Sequence, residues 1–382
     1  MPNYDCFAAC VFGLEAVVAR ELTHLELLPT RTEDGRVWFT ADPSGLARAN
    51  LALRTAERVF VVAGCFEADE FDTLYEQTVR IPWEEWLPRD AAIPVQADLT
   101  RSPIRSVRST QSVVKRAIVS RLQQAYGLLR LPESGPRFGV HVLARKRHIV
   151  LALDCSGTGL HKRGYRTRSG VAPLRETLAA GLVQLSVWTP DRPFADPLCG
   201  SGTIAIEAAL IGRGIAPGLN RRFDAEHWPW FSADAWSEAR AALRSAVRPR
   251  LQRPLIATDH DARILKIARH NAQRAGVADD IHFQQCDVAD FRSSRSYGCL
   301  ITNPPYGERL SERRAVDALY RKLAETVERL PTWSVFVLTP HPQLERLFGK
   351  TATRRRKLYN SRIPCTFYQF LGPKPPEPGR HR

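Results

Sequence analysis

Phe194-Ala195-Asp196-Pro197-Leu198-Cys199-Gly200-Ser201-Gly202-Thr203, continuing into the apolar run Ile204–Ile211, decides the fold class. The stretch reads as a short buried strand, a glycine turn and a helix. Gly200 and Gly202 let the backbone approach a ligand closely, and the start of the next helix offers free N–H groups. Downstream, Leu255–Asp259 reads as a second buried strand, followed by a helix over Ala262–Ala275. His282–Asp287 and Cys299–Thr302 read as further strands. From about residue 189 to 371, short apolar strands alternate with helices, which predicts an α/β domain on a mostly parallel sheet. The turn is not a dinucleotide fingerprint: Ala205 occupies the place of its third glycine.

Asp196 also argues against a dinucleotide. A carboxylate facing the turn repels a pyrophosphate, but it can receive the ammonium group, or bridging waters, of an amino-acid moiety. Leu198 and Thr203 flank the two glycines. Asp259, ending the second strand, is placed to accept both ribose hydroxyl protons. His260 would lie near an adenine face, and Asp287 would accept from the adenine amino group. Asp259 could instead be an N-cap, and Asp287 could cap the turn toward Phe291. Three strand-end acids in this order, beside a glycine turn, describe a pocket for S-adenosylmethionine.

The strand Cys299–Thr302 runs into Asn303-Pro304-Pro305-Tyr306-Gly307. Asparagine before proline is held extended, so its side chain points outward. Two prolines fix φ and remove N–H donors, leaving carbonyls to face the site. The Asn303 amide oxygen and the Pro304 carbonyl can each accept from one –NH2 group, and Tyr306 offers a flat face on which a base can stack. An exocyclic amino nitrogen is a poor nucleophile because its lone pair is delocalised into the ring. Two acceptors favour a pyramidal nitrogen, at about 3 kcal/mol per well-placed group. Reaching that amine requires an unstacked or flipped nucleotide.

The N-terminal half reads as two α/β segments. In residues 1–65, Tyr4–Cys10 is a strand, and Leu14, Val17, Val18, Leu22 and Leu25 share a helix face. In residues 66–158, a helix over Ser106–Tyr126 buries Val114, Ala117, Ile118, Leu122 and Ala125, and a hairpin surrounds Arg145-Lys146-Arg147-His148. A basic connector follows (residues 159–188), with Pro173 opening a helix to about Trp188. Residues 373–382 are proline-rich and basic, and disorder is expected there.

The formal net charge of +15 over 382 residues favours a polyanionic partner, nucleic acid being the usual one. Eight scattered cysteines without a CxxC pair support neither a metal site nor redox chemistry. No apolar run reaches the roughly 18 residues of a membrane span, and Met1–Asp5 has no signal-peptide layout, so a cytoplasmic protein is expected.

Leu160–Arg166, Ala172–Ala180, Asp196–Thr203, Ile215–Arg221, Asp259–Asp261 and Asn303–Gly307 carry a resemblance to the bacterial THUMP-domain class I methyltransferases. The likeness is to those that make N2-methylguanine in 23S ribosomal RNA. It implies a ferredoxin-like module (1–65), a THUMP domain (66–158), the connector (159–188) and a Rossmann-like methyltransferase domain (189–372). It also accounts for the excursion Gly212–Arg253 between the first two strands, with Trp228, Trp230 and Trp236. An RNA grip is implied for Arg105, Arg108, Lys115 and Arg116 and for the connector's His161, Lys162, Arg163 and Arg166, against the alternative of a solvated basic face. No metal and no protein partner is inferred. Three other readings remain: the same chemistry on transfer RNA guanine, adenine-N6 methylation, and an RNA-binding or assembly protein with a vestigial cofactor pocket.

Overall fold

Leu300 and Ile301 are adjacent in sequence but belong to different hydrophobic clusters. Leu300 packs with Ala195, Val335 and Val337, and Ile301 with Ala257, Phe336 and Leu338. Successive side chains of a strand face opposite ways, so a strand covered on both sides reads as a continuous apolar run. The computed structural model describes residues 3–166, 174–231, 233–306 and 310–376, and the chain divides into two units.

The unit holding most of the C-terminal half is built on a seven-stranded sheet. Its order is Ile281–Gln285, Leu255–Asp259, Phe194–Asp196, Cys299–Thr302, Ser334–Thr339, Ile363–Phe370, Arg354–Asn360. The first five strands pair in parallel, and the last two add an antiparallel hairpin at one edge. From Phe194–Asp196 the chain leaves in both directions across the sheet, which opens a crevice at the strands' C-terminal ends. The helix Ala262–Ala275 matches the expected bounds: Asp261 caps it by accepting from the Arg263 N–H at 2.8 Å, and Gly276 closes it at φ 74°.

Pro173 lies outside the described residues, and the connecting helix is described over Glu176–Leu185. It stops short of Trp188 because Ser186 is extended and its hydroxyl turns back to the Val183 carbonyl at 2.6 Å. Residues 377–382 of the expected disordered tail also lie outside the described residues.

The other unit holds a second seven-stranded sheet, in which Ala56–Glu67 pairs on one side with Tyr4–Cys10 and on the other with His148–Asp154. The two N-terminal modules therefore share one sheet. The helix Val107–Tyr126 is capped by Ser106 and closed by Gly127 at φ 62°. It buries Val114, Ala117, Ile118 and Leu122 as spaced, but Ala125 is exposed. Among the described residues, no helix is long and apolar enough to cross a membrane.

Each unit includes a short segment from the other's stretch of sequence. Residues 221–242, expected within the C-terminal domain, cluster with the N-terminal sheet unit, whereas Val11–Val17 cluster with the C-terminal unit. Aromatic packing explains the first exchange. Trp228 is 1% exposed, stacks on Phe138 at 4.9 Å and donates to the Arg137 carbonyl at 2.9 Å. The second rests on Leu14, which is fully buried in the cluster that holds Leu178 and Leu182.

Candidate functional site

A crevice of about 320 Å³ opens where the strands Phe194–Asp196, Leu255–Asp259 and Cys299–Thr302 end. Asp196, Leu198, Gly200, Thr203, Asp259, His260 and Asn303 all line it, from segments as far as 107 positions apart in numbering. Ile264 and Leu319 also line it and were not anticipated. Both come from helices whose facing is set by packing, so only the helical register against the sheet would have revealed them.

Asp196 is 1% exposed. Its Oδ1 accepts from the Thr302 hydroxyl at 2.8 Å and from the Leu198 N–H at 3.3 Å. Burial pushes its carboxyl up to about 7, and these hydrogen bonds only partly offset it. No cationic group of the described residues acts on it. A buried acid at the edge of a crevice, without a cation of its own, suits a ligand that brings an ammonium group.

The two glycines differ in their surroundings. Gly200 has φ +52°, and a Cβ built on it would meet no atom within 4 Å, leaving backbone open to a ligand. Gly202 has φ +82°, caps the helix Thr203–Gly212 and sits where a Cβ would stand 3.2 Å from Ala268 and 3.3 Å from Phe283. It is therefore a turn and packing residue, and it is not among those lining the crevice. Asp259 locks the turn as well as lining the pocket. Its Oδ2 accepts from the Gly200 N–H at 3.0 Å, and its Oδ1 from the Asp261 N–H at 3.0 Å, with His260 Nδ1 at 3.2 Å. The helix cap is Asp261, not Asp259.

Asp287 takes the capping role that its sequence position offers as an alternative to cofactor binding. It caps the turn at Val288–Asp290 by accepting from the Ala289 N–H at 2.9 Å, and its other oxygen receives Lys322 Nζ at 3.1 Å. It is not among the crevice-lining residues. The cap is favoured because the strand already ends at Gln285, two residues earlier than expected.

Asn303 and Pro305 line the crevice, whereas Pro304 is buried. Tyr306 is half-buried. Its ring packs against the core cluster of the sheet, and its hydroxyl donates to Asn303 Oδ1 at 2.7 Å. Burial holds the phenol well above its usual range, so the hydroxyl keeps its proton.

Two of the basic residues assigned to an RNA grip are internal. Arg163 is 6% exposed, and its Nε stands 3.5 Å from Glu207, which also accepts from the Tyr165 hydroxyl at 3.1 Å. Arg166 donates to the Thr203 hydroxyl at 2.7 Å and to the Leu174 carbonyl at 2.8 Å, and it pairs with Glu176 at 3.4 Å. A glutamate on the buried face of a helix draws each of them inward. Lys115 pairs with Glu133 at 2.7 Å, and the Arg116 guanidinium lies 4.9 Å over the Tyr75 ring. Arg105, Arg108, Arg116 and Lys162 are exposed, and His161 is half-buried. A groove of about 920 Å³ on the N-terminal sheet was not anticipated. It is bordered by Arg31, Arg36, Arg101, Arg145 and Lys146 together with Glu33, Asp34 and Glu67.

Comparison with known proteins agrees with this arrangement. Residues 163–369 match the family of RMKL-like methyltransferase domains, residues 5–60 match the RlmL ferredoxin-like domain, and residues 68–154 match the THUMP domain. The chain is 44% identical over 372 residues to "Putative RNA methyltransferase YpsC" of Bacillus subtilis, covering 97% of this chain and 96% of that one. It is 37% identical to the ribosomal RNA large subunit methyltransferase K/L of Photobacterium profundum, covering 94% of this chain and 52% of that protein. The chain thus spans about half the length of that K/L relative. The solved structure of SMU.472 complexed with SAH superposes with a TM-score of 0.93 at 39% identity, covering 98% of this chain and 100% of that one. The methyltransferase match spans more than half of the chain, so the protein belongs to the RMKL-like methyltransferase family and its cofactor is S-adenosylmethionine.

Proposed function

We propose that the protein methylates the exocyclic N2 amino group of a guanine in structured RNA, with large-subunit ribosomal RNA as the substrate. The observation that carries this reading is the position of Asn303. It directly follows the strand Cys299–Thr302, which pairs with Phe194–Asp196, and lines the same crevice as Asp196, Gly200 and Asp259. The THUMP match and the ribosomal RNA named for the K/L relative support RNA as the acceptor.

Asp196 would hold the ammonium end of S-adenosylmethionine, Gly200 its close backbone approach, and Asp259 with His260 its ribose and adenine end. When bound, the cofactor supplies an electrophilic methyl group. The Asn303 amide oxygen and the Pro304 carbonyl accept from the two N–H bonds of the target amine, localising its lone pair. An amide oxygen has two lone pairs, so Asn303 can serve the amine while it accepts from Tyr306. Asn303 is not a base, and the surplus proton is lost to water once nitrogen has been alkylated. Arg105, Arg108, Arg116 and Lys162, together with the groove cations, supply the phosphate contacts.

The test incubates the protein with methyl-labelled cofactor and RNA from cells lacking it, then digests the product to nucleosides. Label in N2-methylguanosine from large-subunit ribosomal RNA is expected. Label in N6-methyladenosine or in transfer RNA would redirect the reading, and cofactor binding without transfer would leave an RNA-binding protein.

A further inference from the structure

Asn303 works only if its oxygen, not its nitrogen, faces the amine. The two ends of a primary amide have nearly the same shape, so sterics alone do not fix that choice. Around Tyr306 the structure holds a directional chain of polar groups. Asn360 Nδ2 lies 3.2 Å from the Tyr306 oxygen and Cys365 Sγ 3.6 Å from it, and the Tyr306 hydroxyl lies 2.7 Å from Asn303 Oδ1. An amide nitrogen can only donate, so Asn360 fills an acceptor position on the phenol oxygen. The single hydroxyl proton is then directed to Asn303, where it must meet the amide oxygen.

Asn360 is 4% exposed and ends the strand Arg354–Asn360, where it pairs with Ile363 across the hairpin. Its own Oδ1 is buried, with no hydrogen-bond partner among the described residues. A buried amide with only one end used is costly, so the site keeps it for what the nitrogen does.

We propose that Asn360 is a positioning residue of methyl transfer: through the Tyr306 hydroxyl it fixes the orientation of the Asn303 amide. This rests on the reading of Asn303 as the acceptor for the target amine. Cys365, 2% exposed, supports the same oxygen more weakly.

The experiment measures single-turnover methyl transfer to RNA from cells lacking the protein, alongside cofactor affinity by calorimetry and Tm. The variants are Asn360→Ala, the isosteric Asn360→Asp, Tyr306→Phe and the Tyr306→Phe, Asn360→Ala double. Asn360→Ala and Tyr306→Phe should each slow transfer about tenfold with cofactor affinity within twofold. The double should be no slower than Tyr306→Phe alone, because the two residues act in series. Asn360→Asp should be slower than Asn360→Ala, since a carboxylate only accepts and draws the phenol proton away from Asn303. Wild-type rates in Asn360→Ala and Asn360→Asp, or multiplying losses in the double, would overturn the positioning role alone. Failure of the wild-type protein to label RNA would instead overturn the reading of Asn303 and this inference with it. If Asn360→Ala does not fold, Tyr306→Phe against Asn360→Asp decides the order of effects.

Discussion

Arg163 and Glu207 meet at 3.5 Å with 3% and 0% of their side chains exposed, the glutamate projecting from the helix that begins at the cofactor turn. Removing one partner of a buried pair strands the other charge, which costs about 3–5 kcal/mol. Arg163→Ala should therefore lower Tm by several degrees. The slope of RNA affinity against salt should stay as in the wild type, because the guanidinium reaches no phosphate. A stable variant with a shallower salt slope would restore Arg163 to the RNA surface.

The exposed pair Arg105 and Arg108 should behave in the opposite way. Charge reversal at both, Arg105→Glu with Arg108→Glu, should weaken RNA binding while Tm and cofactor affinity hold. Each lost phosphate contact reduces the salt slope by about 0.7–0.9. Unchanged affinity and slope would remove the start of this helix from the interface and leave the groove cations to carry it.

Asp196 sets a pH dependence. Its carboxyl, raised by burial to about 7, is largely protonated in the free protein below that pH, and an ammonium ligand requires it ionised. Cofactor affinity should rise as pH increases through about 7 and then level off. The folded state binds this proton more tightly than the unfolded chain, so Asp196 removes stability as pH rises from the ordinary carboxylate range toward 7. Asp196→Asn should flatten both profiles and weaken cofactor binding. Calorimetry across pH 5.5 to 8.5 in both proteins checks the sign, and a flat wild-type profile would refute the assignment.

The two glycines of the turn should separate binding from folding. In Gly200→Ala the new methyl meets no protein atom, so the expected result is weaker cofactor binding with a modest stability cost of about 1 kcal/mol for its positive φ. In Gly202→Ala the methyl also crowds Ala268 and Phe283, and Tm should fall further. Comparing the two variants by Tm and by cofactor titration checks the split, and equal losses in both readouts would contradict it.

Much of the methyltransferase domain was legible because its signals are local. Asp261 and Gly276 mark both ends of one helix within sixteen residues, and the apolar run Leu300-Ile301 reports a strand covered on both faces. The positions that local sequence misreads or leaves open depend on partners far along the chain. Arg163 sits in a basic run that reads as surface, yet its glutamate lies 44 positions downstream. Tyr306 follows two prolines and reads as a flat ring face, while the partners of its hydroxyl, Asn360 and Cys365, lie 54 and 59 positions on. Asp287 reads as either a cofactor ligand or a turn cap, and Lys322, supplied by a later helix, takes up the oxygen that the cap leaves.

The traded segments have a consequence for anyone who would dissect the protein. A cut near residue 160 takes Trp228 from the aromatic stack on Phe138 and Leu14 from the cluster around Leu178. Neither fragment would be a finished domain, since each lacks a piece of its own interior. Native packing must therefore wait until distant stretches of the chain have met, which favours slow and concerted folding over assembly from prefabricated modules.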